Sequence, residues 1–382
     1  MKRVANDKSV ELGIAIKGVN EGKPVSSMAT APTMHVIDQT ITDRYTLYHG
    51  DACQIIRGLP DNSIDYGIHS PPFANLYIYS DSEADMGNCR DEAEFIEHYS
   101  YLIGEMLRVT VPGRLCSVHC KDLPKYANRD DTAGLKDFPG SIIAAYERAG
   151  WSYHSRVTIW KCPVTERERT NNNGLLHKTI MRDRSQVRQG MADFLLTFRK
   201  LPTEGLMSDK PVVNWKMVAE KDEFGNTVLV RKPDGLQEYV GESDPRVNKA
   251  HPSPFARNSN SEHADGKSID IWQRYADPVW FDIDQMDVLN YRTARTERDE
   301  RHICPLQLGL IERAVSLWSN PDDVVMDPFS GIGSSGVGSM RQERKYVGME
   351  LKEQYYRQSI MELSRAARKA KEKVRQQKLA LA

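Results

Sequence analysis

The chain has 382 residues with a formal net charge of −1, so it is not a chain that coats nucleic acid by bulk charge, and any such contact must come from local basic stretches. No apolar run approaches the roughly 20 residues of a membrane helix, and the early basic residues have no apolar stretch behind them, as a secretory signal would. Six cysteines in so long a chain do not form a small secreted disulfide framework, so a cytoplasmic protein with one large core, or one core and a smaller module, is expected.

Residues 1–42 lack clear periodicity and read as an extension with a short ordered piece. Residues 44–70 give strand, helix, strand, the second strand being Ile64-Asp65-Tyr66-Gly67-Ile68-His69. Ser70-Pro71-Pro72-Phe73 follows it directly. Neither proline can donate a ladder N–H, and each pushes the residue before it away from helix. The result is a stiff loop with a hydroxyl, bare carbonyls and an aromatic face, continuing to about Asn88. Such a loop can accept hydrogen bonds from an amino group and stack on a flat ring.

A helix over Glu92–Val109 is stopped by Pro112-Gly113, and strand 114–119, a helix near 139–149 and strand 152–160 come next. Cys116, His119 and Cys120 could suggest a metal pair, but alternation along a strand sends His119 to the opposite face from the cysteines. Buried free thiols and no metal are expected. Arg167, Arg169, Lys178, Arg182, Arg184 and Arg188 lie in a segment with few acids, a candidate phosphate contact just downstream of the strand Val157-Thr158-Ile159-Trp160. Strand 192–198 follows. Residues 201–267 are polar and rich in Gly, Pro and Ser, with a hairpin expected at Phe224-Gly225-Asn226 between Val218 and Val230.

Near the other end, Asp323-Val324-Val325-Met326-Asp327 reads as a buried strand, followed by Pro328-Phe329-Ser330-Gly331-Ile332-Gly333-Ser334-Ser335-Gly336. The glycines match the turn of a nucleotide-binding βαβ unit. The next strand, Lys345–Met349, ends at Glu350, where an acid suits a pair of ribose hydroxyls. A helix then runs into a basic stretch from Arg365 to Lys378. Strands alternating with helices predict an α/β sheet.

The Ser-Pro-Pro-Phe loop and the Asp-Pro-Phe-Ser-Gly-x-Gly turn together resemble the β group of DNA amino-methyltransferases, over roughly residues 44–200 and 268–362. The resemblance implies a permuted, Rossmann-like methyltransferase sheet with S-adenosylmethionine as cofactor. It divides the chain into an extension (1–42), a catalytic half (43–200), a target-recognition region or insertion (201–267), a cofactor-binding half (268–362) and a basic tail (363–382). It implies that Ser70, Pro71, Pro72 and Phe73 are catalytic. It places Asp51, His302, Asp327, Phe329, Gly331, Gly333 and Glu350 at the cofactor, with Arg301–Leu306 opening a helix beside it. The implied reaction is methyl transfer to the exocyclic amino group of a base flipped out of double-stranded DNA, adenine N6 or cytosine N4. Ser70 stands where adenine enzymes commonly carry an acid; serine there is more frequent among cytosine-N4 enzymes, and the base stays open. An RNA or other amino-methyltransferase, an NAD-dependent oxidoreductase and a non-catalytic DNA-binding module are the alternative readings.

Overall fold

The computed structural model describes residues 36–73, 85–125, 132, 134–170, 177–213, 215–221, 225, 227–233, 275–290 and 305–380. Its strands are β1 (Asp38–Ile41), β2 (Tyr45–His49), β3 (Ile64–His69), β4 (Thr110–Lys121), β5 (Leu123–Lys125), β6 (Gly134–Lys136), β7 (Ser152–Ile159), β8 (Asp193–Arg199), β9 (Trp215–Lys221), β10 (Thr227–Pro233), β11 (Val279–Trp280), β12 (Val324–Asp327) and β13 (Lys345–Glu350). The helices are α1 (Ala52–Ile55), α2 (Glu92–Val109), α3 (Phe138–Arg148), α4 (Pro163–Thr170), α5 (His177–Arg182), α6 (Leu308–Trp318), α7 (Ser334–Arg341) and α8 (Glu353–Ala380).

Nine strands form one sheet in the order β1-β2-β13-β12-β3-β4-β8-β7-β11. From β2 to β4 all neighbours are parallel, and β8 is antiparallel to both β4 and β7. Parallel central strands are covered on both faces, so they read as near-continuous apolar runs; all six residues of β3 are buried. Alternate side chains feed two cores. Met326, Leu196 and Val118 join Phe95, Tyr99 and Tyr146 from α2 and α3 on one face. Val325, Leu195, Tyr66 and Ile68 join Ile311, Val337 and Leu363 from α6, α7 and α8 on the other.

Local chemistry sets the ends of these elements. Asp91 caps α2 by accepting the Glu94 N–H, and the buried positions 95, 99, 102, 103, 106 and 109 keep helical spacing. Asp137 caps α3, and Gly150 at φ 98° lets the chain turn into β7.

The strands of the expected hairpin are present, β9 and β10 pairing antiparallel with Val230 opposite Val218, while Phe224 and Asn226 of its turn lie outside the described residues. The short ordered piece of the N-terminal stretch is the edge strand β1. Two boundaries fall elsewhere than the sequence suggested. The last helix continues past residue 362 because its apolar spacing continues, burying Leu363 and Ala366. Residues 201–213 lie partly on the sheet: Lys210 reaches Asp65 at 2.7 Å and Asp323 at 2.8 Å, and its carbonyl accepts from Arg114. Arg114 and Asp323 form a buried ion pair beside it. Residues 301–304 lie outside the described residues, and α6 starts only at Leu308, after Pro305 and Leu306.

Candidate active site

β3, β12 and β13 all end on one side of the sheet, where a cavity of about 520 Å³ opens. In an open parallel sheet, ligands bind outside the carboxyl ends of the strands, where the chain switches direction. β3 brings Ser70, Pro71, Pro72 and Phe73 to the cavity wall; β12 brings Asp327, Phe329 and Gly331; β13 brings Glu350; and the turn after β2 brings Asp51.

The two motifs distant in sequence are therefore neighbours, because β12 and β3 pair directly, with Val325 opposite Tyr66. The turn after β12 is bonded to the end of β13: Ser330 N–H donates to the Met349 carbonyl at 2.9 Å, and Gly331 N–H to Glu350 Oε2 at 2.7 Å. The other Glu350 oxygen accepts the Lys352 N–H. Asp327 accepts from the Phe329 N–H and the Ser335 hydroxyl.

Both acids are held against their natural ionisation. Burial pushes Asp327 up to about 7 and Glu350 up to about 8, the bonds to Ser335, Phe329, Lys352 and Gly331 only partly offsetting it. Glu350 opens on the cavity, but protein surrounds it closely enough to have this effect. Two acids that make no ion pair among the described residues, in a cavity also lined by Phe329, Met86 and Met349, match a ligand with an ammonium group, hydroxyls and an apolar ring. Asp51 spends one oxygen capping α1, accepting the Cys53 N–H at 2.9 Å, and still lines the cavity. Phe329 leans on His69 and Tyr99, with centroids 5.9 and 6.1 Å away.

Gly333 is placed differently from Gly331. It sits at φ 92° at the start of α7, and a Cβ there would meet Ser359 Oγ at 2.7 Å. It serves helix packing and is not among the residues lining the cavity. His302 lies outside the described residues. Lys178, Arg182 and Arg184 are exposed, Arg188 is half-buried, and α4 carries Arg167 and Arg169, whose side chains are not described. α4 also brings Thr165 and Glu166 into the cavity wall, so the basic segment begins at the rim.

Sequence reasoning missed one group of residues. His119 on β4 places Nδ1 3.3 Å from Ser70 Oγ and Nε2 3.0 Å from Asp193 Oδ2 on β8. Lys161 Nζ is 2.7 Å from the same Asp193 oxygen, and Lys121 lies 3.5 Å from Glu166. Burial works against the Asp193 charge, yet His119, Lys161 and Lys121 hold its carboxyl well below the usual carboxylate range. Cys116 and Cys120 point into the opposite core, as strand alternation requires. That alternation was the available signal: it turned His119 toward the side from which Ser70 emerges.

A central parallel sheet that brings the Ser70–Phe73 loop and the turn after β12 to one cavity is the fold of a class, the Rossmann-like methyltransferases. A family model described as DNA methylase matches residues 64–361, so the chain belongs to the N6/N4 DNA methylase family. Members use S-adenosylmethionine and methylate exocyclic amino groups of DNA bases. Type II methyltransferase M.BglII of Bacillus subtilis is 21% identical over 350 residues, covering 91% of this chain and 74% of that protein. M.Cfr9I of Citrobacter freundii is 21% identical over 346 residues, covering 87% and 92%. Among solved structures, the putative DNA modification methylase TTHA0409 of Thermus thermophilus, complexed with S-adenosyl-L-methionine, gives a TM-score of 0.50 at 15% identity, covering 85% of this chain and 96% of that one. The likeness supports the fold. No helix among the described residues is long and apolar enough to cross a membrane.

Proposed function

We propose that this methyltransferase acts on double-stranded DNA and takes as acceptor the exocyclic amino nitrogen, adenine N6 or cytosine N4, of a base flipped into the cavity beside Ser70. The observation that carries this is the single cavity shared by Ser70–Phe73 and by Asp327, Gly331 and Glu350.

Bound S-adenosylmethionine supplies an electrophilic methyl on its sulfonium. Asp327 would hold its amino group, Glu350 its ribose hydroxyls, and Asp51, Phe329 and Gly331 the rest of the wall. The amino lone pair of a base is delocalised into the ring, so the nitrogen is a poor nucleophile. Ser70 Oγ and the Pro71 carbonyl each accept one N–H, which draws the nitrogen toward tetrahedral geometry and frees its lone pair. Phe73, edge-on to Phe138 at a centroid distance of 6.3 Å, stacks on the base, a contact worth about 1–3 kcal/mol. Positioning supplies most of the acceleration, roughly 7–11 kcal/mol where geometry is well held. Flipping costs a few kcal/mol. Residues 201–267, apart from the stretch 201–213 anchored on the sheet, are the target-recognition region, and the basic segment from Arg167 to Arg188 contacts phosphates.

Cytosine N4 and adenine N6 present the same local amino geometry, so the loop serves either. The test is incubation with unmethylated duplex DNA and labelled cofactor, digestion to deoxynucleosides and mass spectrometry. Label in N4-methyldeoxycytidine or N6-methyldeoxyadenosine supports the reading and names the base. Label in neither sinks it.

A further inference from the structure

We propose that His119, oriented by Asp193, is a positioning residue that polarises Ser70 and takes up the proton the base must shed. The inference rests on the acceptor reading above and deepens it. A serine hydroxyl is a weaker acceptor for an amino group than a carboxylate. It also carries a proton of its own, and that proton must point away from the incoming N–H.

The geometry supplies a place for it. Asp193 Oδ2, 3.0 Å from His119 Nε2, fixes the proton on Nε2 and leaves Nδ1 bare toward Ser70 Oγ at 3.3 Å. Ser70 has a second acceptor in reach, the His119 carbonyl at 3.2 Å. Both lie on β4, so the hydroxyl proton is drawn to that strand while the oxygen lone pairs are left for substrate.

The proton count closes. The amino nitrogen gains a C–N bond as the donor's S–C bond breaks, and it is left with one proton too many. That proton passes to Ser70 Oγ as Ser70's own passes to His119 Nδ1. The imidazolium so formed faces the Asp193 carboxylate. Lys161, 2.7 Å from the same carboxylate oxygen, keeps Asp193 ionised and opposes long residence of charge on the ring. Lys121 and Glu166 form another charged pair in this wall, which Asp85 and Lys352 also line. A His119 ring with a proton on both nitrogens cannot accept from Ser70.

The experiment has two arms on the full-length protein. The first is ¹⁵N NMR of the imidazole at neutral pH. The expected spectrum is a neutral His119 ring with its proton on Nε2; Asp193→Asn removes that preference, and Ser70→Ala shifts Nδ1. The second is single-turnover methyl transfer to DNA at saturating cofactor, between about pH 5 and 8, where imidazole titrates. His119→Asn is expected to slow transfer by about 10²-fold, the low end for proton-transfer catalysis, to remove the acid limb of the profile, and to leave S-adenosylhomocysteine affinity unchanged. In a Ser70→Ala background the same change has no further effect.

An Nδ1–H ring in the wild type, an acid limb that survives His119→Asn, or equal losses with and without Ser70 would each overturn the proposal. If the wild type transfers no methyl to DNA, the acceptor reading falls, and the NMR arm still decides whether His119 is poised on Ser70.

Discussion

Gly331 donates its backbone N–H to Glu350 Oε2 across 2.7 Å. The bond joins the turn after β12 to the last residue of β13 and so braces one wall of the cavity. It also fixes where the acids sit: half-buried Glu350 and buried Asp327 line one cavity, each partly bonded to backbone N–H groups.

That arrangement makes the free protein sensitive to alkali. Both folded pKa values are raised, to about 7 for Asp327 and about 8 for Glu350, against about 3.9 and 4.3 in an unfolded chain. A raised acid contributes stability that is complete below its unfolded pKa and is lost as pH rises through the folded one. The melting temperature of the ligand-free protein should therefore fall between about pH 4 and 8. Glu350→Gln should flatten the upper part of that slope. Calorimetry across the range checks it, and an unchanged slope would count against burial as the cause.

Gly336 is a contact of a different kind. A Cβ there would run into Leu363 Cδ2 and meet the Tyr346 ring at 2.7 Å. Gly336→Ala should push α7 off α8 and β13, costing about 1–3 kcal/mol of stability by overpacking. Denaturant unfolding measures this, and cofactor affinity should fall with it because α7 follows directly on the turn.

Lys210 bridges Asp65 and Asp323. Burial and the neighbouring Asp323 raise Asp65, and Lys210 opposes them. Lys210→Met leaves the buried Asp65 carboxylate without its cation, holding only the Val324 N–H, while Asp323 keeps Arg114. The expected loss is about 1–3 kcal/mol, the cost of leaving a buried acceptor unsatisfied. It should grow as pH rises through the Asp65 titration, which urea melts at two pH values would show.

Arg182 and Arg184 are exposed. If they meet phosphates, the double change to alanine should weaken binding to all duplex sequences alike. It should also lower the slope of log affinity against log salt by about 2, near one unit per contact. A change confined to one sequence would point instead to base contacts.

Much of this was readable along the chain. β3, α2, β12, β13 and the Val218–Val230 hairpin follow from periodicity and turn chemistry, which are local. The Ser70–His119–Asp193 array was not, because its members come from three strands, and only strand order brings them together. His119 was visible as a histidine turned away from two cysteines; the carboxylate beyond it had no local mark. Gly333 resembled Gly331 in the motif, yet the packing of α8 gives them different work. The long last helix was cut short because its basic residues masked an apolar stripe that runs through Leu363 and Ala366.

The strand order has a consequence for how the molecule is made. β12 and β13 fill a slot between β2 and β3, whose two sides are synthesised within the first seventy residues. At the usual elongation rates of 5–20 residues per second, roughly 10–50 s separate the emergence of His69 from that of Val324. During that time β3, apolar on both faces, has one bare edge, a hazard for association between nascent chains. When the slot closes, the turn after β12 and the Ser70–Phe73 loop come to the same cavity in one event. A chain cut before β12 therefore lacks the cavity wall formed by Asp327, Gly331 and Glu350.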